Sequence, residues 1–140
     1  MTWQTELMNR YPDLFSRADE TERSPGYPTV GDGWQVLVEK AVARIADAVA
    51  RQRRGAVKIS QVKEKFGGLR VYVQYKSLPG PVRKEVREAV EAAEDRSWCT
   101  CEICGAVGRL YDSDGTLTTR CELHAIGRPV QRRVRRLGTK

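Results

Sequence analysis

Histidine is nearly absent from this chain: 140 residues contain one, His124. With that imidazole engaged elsewhere, none is left to act as a general base, which excludes His-dependent triads and His-metal nucleases. A zinc-deaminase pattern would need His-x-Glu upstream of a cysteine pair, and none occurs. No phosphate-binding P-loop is present, and the glycines of residues 26–33 follow no strand and lack dinucleotide spacing. No apolar run approaches the ~18 residues of a membrane helix. The first residues, Met1 to Glu6, lack the basic and apolar regions of a signal peptide, which implies reduced thiols and a cytoplasmic setting. Carboxylates are plentiful but no pattern singles out a pair, so the expectation is a protein that is not an enzyme.

Cysteine is also sparse, at four, yet three of the four are placed with purpose. Cys101 and Cys104 form a Cys-x-x-Cys clip, and Cys121 and His124 form a Cys-x-x-His clip after a spacer of 16 residues. Zinc takes four soft or borderline ligands in a tetrahedron, and two short clips joined by a hairpin supply them. The spacer carries turn formers at Gly105, Gly108 and Asp112-Ser113-Asp114-Gly115, flanking two short strand-like runs. The spacing predicts a knuckle, a hairpin and then a helix whose first turn carries Cys121 and His124, a treble-clef-like module with one structural Zn2+ per chain. The bland alternative is scattered cysteines packing as small hydrophobes or forming disulfides. Cys99 is the spare thiol: a core residue, a reactive surface thiol or a substitute ligand, with core or surface the favoured readings.

Elsewhere the pattern is α+β: helices packed on a small antiparallel hairpin or sheet. Residues 1–97 read as the core, with 1–15 as an N-terminal arm and 16–33 as a loop; 98–127 is the zinc module and 128–140 a basic tail. In the arm, Trp3, Leu7, Tyr11, Leu14 and Phe15 fall near helical spacing, with a break at Pro12. Asp32 and Gln35 suggest a capping box for a helix whose stripe is Trp34, Leu37, Val38, Ala41, Ile45, Ala48 and Val49. Residues 57–62 and 69–76 read as strands, joined by a loop over residues 63–68. A helix opening at Pro81 buries Val82, Val86, Ala89, Val90 and Ala93, and Trp98 packs the module against the sheet.

Charge is distributed in blocks. Residues 51–76 hold 8 basic residues against 1 acidic, and residues 127–140 hold 6 against 0, whereas the rest of the chain is net acidic. Two basic blocks suit a footprint on a polyanion. Candidate contacts are Arg51, Arg53, Arg54, Lys58, Lys63, Lys65, Phe66 and Arg70 in the first block, and Arg128, Arg132, Arg133, Arg135 and Arg136 in the second. Basic residues with an aromatic suit unstacked bases; the alternatives are helix-end chemistry for Arg51 to Arg54 and a Phe66 folded under its own hairpin. Val130, Val134 and Leu137 would form the apolar side of a short C-terminal helix.

The runs YPDLF (Tyr11 to Phe15), GDGW (Gly31 to Trp34), QVKEKFGGLRVYV (Gln61 to Val73), AEDRSWCTCEICGAVGRL (Ala93 to Leu110) and the Cys121-Glu-Leu-His-Ala end resemble a group of small bacterial and prophage proteins. These share a KEKFGGLR core and a C-terminal CxxC…CxxH zinc motif. The resemblance covers residues 11–125 and implies zinc and a phage or mobile-element setting; it brings no established activity. The expected function is non-enzymatic nucleic-acid binding. The rival is a protein-binding inhibitor or adaptor, of an anti-CRISPR or other host-takeover type, that blocks a nucleic-acid-handling complex. Neither reading involves a membrane or a small-molecule substrate.

Overall fold

A computed structural model describes residues 2–15, 24–52 and 54–131. Helix α1 (Trp3–Arg10) is capped by the Thr2 hydroxyl, which accepts from the Thr5 N–H. It buries Leu7 and Met8, and Leu14 and Phe15 follow them into the core, so the arm docks as its apolar spacing implies. The Leu14 carbonyl accepts from the Ile59 N–H at 2.7 Å, which ties the arm to the sheet.

The glycine-rich stretch contains more structure than a loop. Strand β1 (Pro28–Thr29) lies parallel to β2 (Ala56–Lys65), and a 3-10 turn over Asp32–Trp34 leads into α2 (Gln35–Ala50). Asp32 and Gln35 do not form a capping box. Asp32 instead accepts from the Trp3 indole N–H at 2.9 Å, and Gln35 donates to Glu39. Trp34 is fully buried, with Val38, Ala41, Val42, Ile45 and Ala48 continuing the helix stripe. Burying a large apolar side chain contributes about 1.5–3 kcal/mol each, so this stripe anchors the core.

Strands β2 (Ala56–Lys65) and β3 (Gly68–Lys76) pair antiparallel and complete a sheet of order β1-β2-β3. The connection expected over residues 63–68 shrinks to two residues, Phe66 and Gly67, with φ of 54° and 92°. Positive φ at both positions of a two-residue loop is the I′ geometry that matches strand twist. Lys63 and Lys65 are therefore strand residues. A bulge at Ser60, between Ile59 and Gln61, shifts the alternation so that Val57, Ile59 and Val62 all face the core with Leu69 and Val71.

Helix α3 (Gly80–Ser97) packs along α2 and buries the stripe read from the sequence: Val82, Val86, Ala89, Val90 and Ala93. It also covers the open edge of β3. The buried Ser97 hydroxyl accepts from the Leu69 N–H at 2.9 Å, and a Glu94 carboxylate oxygen accepts from the Val71 N–H at 3.0 Å. An unpaired strand edge is a template for wrong association, and these two side chains close part of it.

The C-terminal module holds β4 (Arg109–Ser113), β5 (Thr116–Arg120) and β6 (Arg128–Pro129) in the order β5-β4-β6. The helix expected after Cys121 is a single 3-10 turn, Glu122–His124, after which the chain reverses at Gly127 (φ 90°) and returns as β6 against β4. Residues 128–130 thus belong to the module rather than to a separate tail, and the Val130 N–H donates to the Leu110 carbonyl. Arg53 and residues 132–140, with Arg132, Arg133, Arg135, Arg136, Val134 and Leu137, lie outside the described residues. Among the described residues no helix is long and apolar enough to cross a membrane.

Candidate metal centre and its basic neighbour

Cys101, Cys104, Cys121 and His124 converge, with their donor atoms all within 4.8 Å of one another. The Cys104 and Cys121 sulfurs are 3.7 Å apart, and His124 Nδ1 lies 3.7 Å from the Cys101 sulfur and 3.2 Å from that of Cys121. With metal bonds of about 2.3 Å to sulfur and about 2.0–2.1 Å to nitrogen, a tetrahedron has edges of about 3.8 Å and about 3.5 Å. These three separations lie near those edges, and the remaining pairs are within 4.8 Å. Four protein donors close the sphere, as in a structural site, and Nδ1 is the imidazole atom turned inward. All four cysteines are free thiols, and Cys99 is an exposed one outside the cluster.

The first clip is a tight knuckle. Gly105 adopts φ 85° and donates to the Cys101 carbonyl at 2.8 Å, while the Cys101 N–H donates to the Ala106 carbonyl at 2.7 Å. Burial acts upward on the Cys101 thiol, but N–H donation from the backbone of Cys121, Cys104 and Ile103, together with the His124 ring, brings it down to about 6. The Ala106 N–H favours the Cys104 thiolate, yet burial and the neighbouring Cys121 and Cys101 sulfurs hold that thiol above its ordinary value. Sulfurs crowded this closely resist joint ionisation unless a cation sits between them.

The module is sewn to the rest of the chain through glycines. The Gly33 N–H donates to the Glu102 carbonyl at 2.8 Å, the Gly31 N–H donates to the Glu102 carboxylate at 3.0 Å, and the Trp34 indole donates to the Thr100 carbonyl at 2.8 Å. Burial raises the Glu102 carboxyl, against the lowering effect of the Gly31 N–H. At the other contact, the buried Thr119 hydroxyl donates to the Gly67 carbonyl at 2.6 Å, and Leu110 sits where a Cβ on Gly67 would project. Trp98 covers Gly68 closely enough that a Cβ there would lie 2.4 Å from its ring. The module therefore buttresses both the GDGW turn and the hairpin tip.

That buttressed hairpin gathers the first basic block. The face of β2–β3 opposite the core carries Lys58, Gln61, Lys63 and Lys65 from one strand and Arg70, Tyr72, Gln74 and Lys76 from the other. Lys63 is directly opposite Arg70, and Lys58 opposite Gln74. The Lys63 ammonium lies 5.4 Å from the centre of the Tyr72 ring, which is 38% exposed. Phe66 does not fold under the hairpin: it is 66% exposed at the tip, with the Lys65 ammonium 5.7 Å from its ring centre. The other candidates are elsewhere. Arg51 pairs with Glu85 of α3, Arg54 is exposed in the α2–β2 connection, and Arg128 sits opposite Asp112 in the sheet of the C-terminal module.

The period-2 alternation of β3 puts Tyr72 on the solvated face with Arg70 and Gln74, but sequence reasoning did not single out Tyr72 or Lys76 as contacts. It also missed Gly31, Gly33, Ser97 and Thr119, whose roles depend on contacts far along the chain. Comparison with protein-family models, curated proteins and solved structures gives no match.

Proposed function

We propose that this is a non-enzymatic, zinc-binding protein that binds single-stranded nucleic acid on the outer face and tip of the β2–β3 hairpin. The observation that carries this reading is the face itself: five cations, no carboxylate and an exposed tyrosine on one side of two paired strands, with an exposed phenylalanine at the turn. Cations track a phosphate backbone and flat rings stack on unpaired bases, a combination that tolerates any sequence. Phe66 adds a second argument. A bulky aromatic residue at positive φ is strained, and strain that persists at an exposed position points to use.

Zinc is the metal that suits three thiolates and an imidazole in a closed tetrahedron. The order of knuckle and hairpin is that of a treble clef whose final helix is reduced to one turn. Its role is structural: it fixes β4–β5 against Gly67 and so holds the tip in place. Reduced thiol ligands suit the cytoplasm, and the resemblance of the sequence motifs supports a phage or mobile-element setting. Fluorescence anisotropy with a labelled single-stranded oligonucleotide tests the reading. Binding by the metal-loaded protein, lost in the Lys63→Glu, Lys65→Glu, Arg70→Glu variant, is the expected result; no binding, or binding indifferent to those changes, contradicts it.

A further inference from the structure

The outer side of the zinc module carries a groove of 510 Å³, distinct in residues from the hairpin face, that is bordered by Val107 and Leu123 and lined by Arg109, Tyr111 and Arg120. Its apolar border is unusually bare. Leu123 is 92% exposed in the 3-10 turn between Cys121 and His124, and Val107 is 86% exposed although its backbone is bridged to Thr100. A single exposed aliphatic residue means little, but two bordering one concave site suit a docking surface.

Charge identifies the occupant. Arg109 and Arg120 are direct cross-strand partners in β4–β5, and like charges placed opposite one another are destabilising. Among the described residues neither has a carboxylate within ion-pair distance, although the Glu102 carboxylate is near enough to feel the Arg120 charge. Arg120 donates one N–H to the His124 carbonyl at 3.3 Å, and among the described residues its buried Nε has no hydrogen-bond partner. Arg109 is exposed beside it, and an arginine fork donates two parallel bonds to a carboxylate. Among the described residues, the only acid lining the groove is Glu122, which is exposed. The chain's own C-terminal residues 128–140, with 6 cations and no acid, have the wrong sign to fill the groove.

We infer that this groove binds a short acidic peptide segment of a partner protein, with aliphatic or aromatic side chains against Val107, Tyr111 and Leu123 and carboxylates on Arg109 and Arg120. The protein would then carry two faces, one for nucleic acid and one for an acidic protein segment, held in fixed relation by the metal. The peptide site does not rest on the nucleic-acid reading, since the two faces share no residue.

The test uses metal-loaded full-length protein and a labelled peptide alternating Asp or Glu with Leu or Phe, beside a control peptide in which Gln replaces every acid. Saturable binding of the acidic peptide alone is expected, weakened about tenfold or more by Leu123→Asp or by Arg109→Glu, as for residues central to an interface. Both positions are exposed, so metal content and circular dichroism should be unchanged in the variants. Lys63→Glu should leave peptide binding intact, which separates failure of this site from failure of the hairpin face. Three results would overturn the inference: no saturation by about 1 mM peptide; equal binding of the Gln control; or competition by single-stranded oligonucleotide for the same groove. Concentration-dependent self-association abolished by Leu123→Asp, without peptide binding, would also overturn it and assign the groove to a second copy of the chain.

Discussion

Gly33 and Cys101 meet backbone to backbone: a Cβ placed on Gly33 would lie 2.1 Å from the Cys101 carbonyl oxygen, and 2.6 Å from the Gly105 nitrogen. Neither atom can yield, because both belong to the knuckle that positions two thiols. Gly33→Ala is therefore expected to cost about 1–3 kcal/mol, the range for overpacking a filled site, and to weaken metal retention with it. Gly80 has open space where a Cβ would project, and it opens α3. Gly80→Ala should be neutral or stabilising by up to about 1 kcal/mol. Urea denaturation of the two variants, each metal-loaded, checks the contrast.

Metal should be stoichiometric, at one ion per chain, and necessary for the module. Cys104→Ser and His124→Ala should lose it and with it the cooperative melting of the module, since structural zinc supplies folding free energy directly. Cys99→Ser should retain both, because Cys99 lies outside the donor cluster. Elemental analysis and thermal melts with and without chelator decide the matter; unaltered stability after chelation would contradict the structural role.

The edge of β3 has its own signature. Ser97→Ala leaves the Leu69 N–H without its acceptor, and an unsatisfied buried donor costs about 1–3 kcal/mol. Glu94 titrates above the ordinary carboxylate range because burial outweighs the help of the Val71 N–H and of Arg70. The folded state therefore holds that proton more tightly than the unfolded chain does. Its contribution is complete below the unfolded pKa and lost as pH rises through the folded one. Glu94→Gln keeps an acceptor for Val71 and removes the titration, so the variant should lose less stability than the parent over that upward pH window.

Phe66 offers a trade-off. Asn is comfortable at positive φ and Asn-Gly is the favoured I′ pair, so Phe66→Asn should raise stability by several tenths of a kcal/mol. It should also weaken single-strand binding by about 1–3 kcal/mol, the worth of one stacked base. Better stability with unchanged binding would make the exposed ring incidental.

Much of this structure is legible in the sequence. The stripes of α2 and α3 are, because amphipathic spacing reports burial directly, and so is the four-residue metal cluster, because clip spacing is local. What escaped was set at long range. Glycines 31 and 33 look like loop glycines until the knuckle is seen against them. The bulge at Ser60 and the two-residue turn at Phe66 let β2 run to Lys65, where composition suggested a basic loop. The single turn after Cys121 was read as a helix because nothing in Glu122-Leu123-His124 signals that Gly127 will send the chain back to β4.

The salt dependence of oligonucleotide binding tests the central claim most directly. Each phosphate neutralised on a single strand contributes about 0.7 to the slope of log K against log salt. With three to five contacts from the hairpin face the account expects a slope of about −2 to −3.5 from that face. Charge reversal at Lys63, Lys65 and Arg70 should remove most of it while metal content stays unchanged. Affinity weaker than about 10⁻⁴ M at physiological salt, or a slope that survives the reversal, would contradict the assignment of this face to nucleic acid.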